Sequence, residues 1–188
     1  MDNQKQIRPR NESGQELTLT FQQKRRGKPP RHLADLSRED RRALLEEMGH
    51  PAFRADQLST HYFTHLTTDP AEMTDLPEEG REELVGALLP PLMEKISEQS
   101  ADGGRTLKVL WKLFDGVVVE SVLMAYPDRA TLCLSSQAGC GMACPFCATG
   151  QAGLTRNLSA AEITEQLRLN MKIAESGALG EPTRVTNV

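Results

Sequence analysis

The sequence predicts an α/β chain in which a small helical domain precedes the start of a partial (β/α) barrel. Apolar residues recur at helical spacing as far as Leu89, they alternate with polar ones after Gly103-Gly104, and a strand, a cysteine-bearing loop and a helix then succeed one another over residues 131–177. The expected organisation is a basic disordered arm over 1–30, a helical accessory domain over 31–100, and the N-terminal, incomplete part of a barrel with a β-hairpin over 101–188.

The arm is polar and ends in Pro29-Pro30, so order is expected from Leu33 onward. Ser37 caps a first helix, with Asp40 three residues on as in a capping box and Gly49 closing it after Leu44, Leu45 and Met48. A second helix comes after Pro51 and places Phe53, Leu58, Tyr62 and Leu66 on much of one face. His61, Tyr62 and His65 are read as helix-packing or surface residues rather than ligands. Glu78 to Leu89 forms a third helix, acidic in its first turn and offering Leu84, Val85, Leu88 and Leu89 for burial, until Pro90-Pro91 ends it. About 60 residues make a marginal domain, so this unit is expected to lean on the barrel segment C-terminal to it.

Leu107, Val109, Trp111 and Leu113 alternate with Lys108 and Lys112 in a strand. Asp115-Gly116 signals a hairpin, and Val117 to Met124 returns. After the turn at Pro127-Asp128-Arg129, a strand over Thr131 to Ser135 runs into the cysteine loop, the position at which parallel α/β barrels carry their sites. Ser159 with Glu162 is a capping box that opens a helix through Ile163, Leu167 and Met171 to Gly177. Thr183 to Val188 reads as the next strand, with Gly180-Glu181-Pro182 a loop before it.

The net charge of -4 conceals an asymmetry: residues 1–32 carry eight Lys/Arg against three Asp/Glu, and the rest fourteen against twenty-three. A cationic arm before an acidic body suits a nucleic-acid partner through phosphate contacts, although a solvated tail has the same composition. No run is long and apolar enough to span a membrane and no signal peptide precedes the cysteines, so the sequence reads as cytoplasmic with reduced thiols.

Cys140, Cys144 and Cys147 place three of the four cysteines in eight residues, as C-x3-C-x2-C, flanked by Gly139, Gly141 and Gly150. Three thiolates can hold three irons of a [4Fe-4S] cubane and leave the fourth open to a small molecule. The known use of this spacing is to bind S-adenosyl-L-methionine and cleave it reductively. A structural zinc site is the competing reading. It needs four ligands, and taking Cys133 as the fourth gives C-x6-C-x3-C-x2-C, which is not a paired-CxxC pattern.

The stretch from Thr131 through Cys133, Gln137-Ala138-Gly139-Cys140, Cys144 and Cys147-Ala148-Thr149-Gly150, then Arg156-Asn157-Leu158-Ser159-Ala160-Ala161-Glu162-Ile163, closely resembles the RlmN and Cfr family of radical-SAM RNA methyltransferases, and most of all its RlmN branch. The resemblance covers about residues 31–188. It implies a radical-SAM partial barrel and methylation of adenine carbon 2 in 23S rRNA and in tRNA, with carbon 8, as in the Cfr branch, as the alternative. The implied cofactors are a [4Fe-4S] cluster on Cys140, Cys144 and Cys147 and S-adenosyl-L-methionine, with Phe146 near the bound adenosine. A one-electron reductant such as flavodoxin is implied as a partner. In the family's mechanism a methyl group is first placed on a cysteine near the C-terminus. A 5′-deoxyadenosyl radical then activates it, and the methyl carbon adds to the ring. By the resemblance Glu120 removes the ring proton, and Cys133 is the resolving thiol that frees the product by forming a disulfide.

The methyl-carrying cysteine and the family's downstream cofactor contacts have no counterpart among these residues. A barrel of this type needs roughly 200 residues or more, so the sequence is expected to be the N-terminal part of a longer enzyme. It is expected to be inactive alone, or a non-catalytic RNA-binding fragment, with an unpaired edge at Val185 to Val188.

Overall fold

The computed structural model describes residues 28–188 apart from Asp128, Ala143 and Ala152, so the basic arm lies outside the described residues as far as residue 27. The chain enters through a 3-10 turn, Leu33–Asp35, where the His32 ring accepts from Ala34 N–H. Helix α1 spans Arg38–Glu47. It starts where Ser37 Oγ accepts from Asp40 N–H, and it stops before Gly49, whose φ of 81° suits a residue without Cβ. Helix α2 spans Arg54–Phe63 and α3 spans Arg81–Leu88, with a second 3-10 turn, Pro70–Glu72, between them. Leu33, Leu44, Leu45, Leu58, Tyr62, Met73, Leu76, Leu84, Val85 and Leu88 form one buried cluster. Each such side chain contributes roughly 1.5–3 kcal/mol of burial. Phe53 departs from the face expected for it, because it precedes the first turn of α2 and stays exposed, with the Arg54 guanidinium over its ring.

A five-stranded sheet comes next, in the order β1-β2-β3-β4-β7. Strand β1, Met93–Ala101, is not among the elements the sequence suggested. Its residues after Met93 are exposed on both faces, so no alternation marks it, and its pairing with β2 (Thr106–Leu113) holds it in place. Strand β3, Val118–Ala125, continues antiparallel with Leu110 opposite Glu120. Strand β4, Ala130–Cys133, places Cys133 opposite Val122. Two short strands, β5 (Gln137–Gly139) and β6 (Leu154–Asn157), form a separate hairpin around a four-residue helix α4, Ala148–Gln151. Helix α5, Ala160–Glu175, then returns the chain so that β7, Val185–Asn187, pairs parallel with β4. The β4–α5–β7 crossover is one barrel unit. The sheet is not closed among the described residues, and β7 is its edge.

Helix α5 covers the face formed by Leu107, Val109, Trp111, Leu113, Val119, Leu123 and Leu132. Its capping box is complete, with Ser159 Oγ accepting from Glu162 N–H and Glu162 accepting from Ser159 N–H. The helical unit leans on this same helix. Tyr62 O–H donates to Glu165 Oε2 at 2.8 Å, Arg168 donates to both Glu165 oxygens and to Leu66 O, and Asp35 Oδ1 accepts from Ala161 N–H at 2.8 Å. These groups are mostly buried, and burial beside Glu165 pushes the Tyr62 hydroxyl pKa well up.

Candidate functional site

The loop that carries the cysteines is an excursion from the β5–β6 hairpin, pinched at its base. Cys140 N–H donates to Gly153 O at 3.1 Å, and at Gly139, with φ 77°, a Cβ would stand 2.0 Å from that same oxygen, so the position requires glycine. Inside the loop Cys147 N–H donates to Cys144 O, Gln151 N–H to Cys147 O, and the Gln151 side chain to Pro145 O at 2.6 Å. All four cysteines are free thiols. Cys140, Cys144 and Cys147 are half-buried and Cys133 is exposed.

This donor set fits an iron–sulfur cubane: three free thiols on one short loop whose ends are tied together. Among the described residues no three His, Cys, Asp or Glu side chains are gathered tightly enough to enclose a single metal ion. The loop itself carries three thiols, one fewer than the four ligands of a closed structural zinc site.

The register of β3 and β4 puts Glu120, Val122 and Cys133 on the sheet face away from α5. There Glu120 and Cys133 border one cavity of about 340 Å3, which is also lined by Ser135, Gln137 and, from the cysteine loop and its base, Thr149 and Gly139. Lys108 Nζ lies 3.4 Å from Glu120 Oε2 across the neighbouring strand, an exposed pair worth little in stability that holds the carboxylate at the cavity rim. Phe146 does not join them; it is 89% exposed at the outer turn of the loop.

Behind the cavity, buried polar groups fix the start of the loop. The Gln166 amide of α5 accepts from Ser135 N–H at 3.1 Å and donates to Ser135 O at 2.9 Å, while Ser135 Oγ donates to Glu120 O at 2.8 Å. Arg156 of β6 donates to Asp115 in the β2–β3 turn and to both oxygens of buried Glu162, with its guanidinium over Phe114. Its two carboxylate partners raise its pKa further above the ordinary arginine value. Gln166 escaped the sequence reading because a glutamine inside an amphipathic helix carries no local signal. Asp115 and Glu162 were read only as a hairpin and a cap.

The sequence profile of the ribosomal RNA large subunit methyltransferase N-terminal domain matches residues 31–88. A Nocardioides protein described as a probable dual-specificity RNA methyltransferase RlmN is 60% identical over 92% of this chain and 46% of its own length. A Kocuria rhizophila protein of the same description is 54% identical over 97% of this chain and 48% of its own. The chain belongs to the RlmN family. Its fold agrees with the crystal structure of a radical SAM methyltransferase from Sphaerobacter thermophilus, at a TM-score of 0.74 and 38% identity, over 82% of this chain and 45% of that one. This RlmN-family chain spans about half the length of the curated relatives it matches.

Proposed function

We propose that this chain supplies the helical unit and the cluster-binding loop of an RNA methyltransferase that methylates carbon 2 of adenine in 23S rRNA and tRNA. The observation that carries the reading is the cavity shared by Glu120, Cys133 and the base of the cysteine loop, groups drawn from separate segments of the chain. Family membership supports the RNA methyltransferase chemistry, through relatives named for it.

Cys140, Cys144 and Cys147 would hold a [4Fe-4S] cluster, which would bind S-adenosyl-L-methionine and supply the electron for its reductive cleavage to the radical that activates a methyl group. Glu120 faces the cavity as the carboxylate that takes the proton from the methylated ring carbon. Cys133, exposed at the end of β4, would be the thiol that forms a disulfide with the protein sulfur as the bond from that sulfur to the product's methylene carbon breaks, the carbon taking up a proton to become the methyl group. Gln166 and Ser135 keep the end of β4 and the backbone of Glu120 in register. A one-electron reductant such as flavodoxin serves the cluster, and the reaction belongs in the cytoplasm. Among the described residues no helix is long and apolar enough to cross a membrane.

The test is anaerobic reconstitution with iron and sulfide, then electron paramagnetic resonance of the reduced protein with and without S-adenosyl-L-methionine. A [4Fe-4S] signal that changes with S-adenosyl-L-methionine and vanishes in Cys144→Ser supports the reading. Tight zinc in place of iron, unaffected by S-adenosyl-L-methionine, would sink it.

A further inference from the structure

The end of α2 brings two histidines and an aspartate together, remote in sequence from the cysteine loop. His61 Nδ1 and His65 Nδ1 stand 3.3 Å apart, with the rings edge to face and their centroids 5.1 Å apart. On its other side His61 Nε2 lies 2.5 Å from Asp75 Oδ1. The carboxylate fixes the tautomer. Asp75 accepts from Nε2–H, which leaves the lone pair of His61 Nδ1 directed at His65. That hydrogen bond also holds the Asp75 carboxyl below its ordinary range, so it is an anion at neutral pH. His61 is buried and cannot swing away, whereas His65 is exposed and leaves the site open to solvent.

The backbone keeps the two imidazoles in place. Leu66 takes a left-handed φ of 56°, a strained conformation for leucine. Thr67 N–H thereby returns to His61 O at 3.0 Å, and Leu66 O accepts from Arg168 at 2.7 Å. The Asp75 backbone is anchored to the same helix, since its carbonyl accepts from Arg54 at 2.9 Å and from Gln57 at 3.3 Å.

We propose that His61 and His65 bind a divalent transition cation of the zinc class through their Nδ1 atoms, with Asp75 as the carboxylate behind the first histidine. Two imidazole nitrogens about 2.0–2.1 Å from one tetrahedral zinc stand roughly 3.3 Å apart, which is the spacing found here. A carboxylate behind a metal-bound histidine is the usual device for orienting the ring and raising its basicity. Two protein ligands leave two positions for water, so the ion exchanges readily and does not depend on the cysteines. The sequence reading placed His61 and His65 as packing or surface residues, and the structure buries the first and exposes the second. Their four-residue spacing was visible, but Asp75 and the turn at Leu66 were not. When bound, the cation ties the two imidazoles at the end of α2 together, while Asp75 keeps its hydrogen bond to the first of them.

Long-range proton–nitrogen NMR of the imidazoles separates this site from the thiols residue by residue, with His32 and His50 as internal controls. Zinc chloride added beyond the equivalents taken by the cysteines should shift His61 Nδ1 and His65 Nδ1 together, saturating at one further equivalent. His65→Ala removes an exposed ring and should abolish the His61 response, while Asp75→Asn should weaken binding about 10–100-fold. If His61 and His65 remain unshifted with zinc in excess, or His61 responds equally in His65→Ala, the contact is a simple N–H···N hydrogen bond and the proposal is wrong.

Discussion

Replacing Gly139 by alanine puts the closure of the cysteine loop to a direct test. The residue sits at φ 77°, and an added Cβ would meet the Gly153 carbonyl oxygen at 2.0 Å. The left-handed conformation alone costs a residue with a Cβ about 1–2 kcal/mol. Relieving the overlap requires the two strands to part by roughly 1 Å or more, which breaks the Cys140 N–H to Gly153 O bond, worth about 0.5–1.5 kcal/mol net. The β5–β6 hairpin should therefore open more easily by about 2–3 kcal/mol, so amide exchange at Cys140 should accelerate roughly 30–150-fold. The paired amides of β2, such as Val109, should exchange as before, because the main sheet does not contain this hairpin. Anaerobic reconstitution should give a lower iron-to-protein ratio in the variant at unchanged helicity. Native exchange at Cys140 together with native iron loading would refute the claim that the pinched base organises the thiols.

Tyr62→Phe removes the hydroxyl donated to Glu165 and should cost about 1.5–3 kcal/mol in urea unfolding, as expected for a buried bond to a charged group; a loss below about 0.5 kcal/mol would contradict the contact. Gln166→Leu leaves Ser135 N–H and C=O without their partner and should destabilise by about 2–4 kcal/mol, with exchange at Ser135 accelerating more than at Leu107; equal acceleration at both would argue against a local clamp. Arg38 and Arg42 hydrogen-bond the Asp56 carboxyl and hold it down to about 2, against an ordinary 3.8. Because the folded value is the lower one, the stabilisation is fully present above pH 3.8 and is lost as pH falls through about 2. Carbon NMR of the Asp56 carboxyl checks the midpoint, and Arg42→Ala should move it upward.

Much of this architecture could be read from residues alone, because local chemistry sets it. Ser37 and Ser159 cap the helices expected of them, Asp115-Gly116 turns the β2–β3 hairpin, and the alternation from Leu107 to Leu113 faces the core. Strand β1 was hidden because its residues are almost all exposed, so its strand character comes from pairing with β2 and not from pattern. Strand β4 ends at Cys133, two residues short of the expected Ser135, because Gln166 takes up the Ser135 backbone groups that a longer ladder would have used. The cysteine spacing singled out the loop as a candidate cluster site, while the meeting of Glu120 and Cys133 at one cavity depended on cross-strand register, which no single segment encodes. Phe146 was placed near adenosine by resemblance alone, and its exposure leaves that role to be tested with S-adenosyl-L-methionine bound.

Helix α5 buries Glu162, Glu165, Gln166, Arg168 and Asn170, a polar set where leucines would have sufficed for adhesion. An oily face could roll or slide against the sheet by a residue at little cost. A rotation of one position, about 100°, would strip these five side chains of Arg156, Tyr62, Ser135, Leu66 O and Ser121 at once. The helix is thus keyed like a screw with a single seating. The turn after α2 and the end of β4 are anchored to it on different sides, so both take their alignment from the one helix.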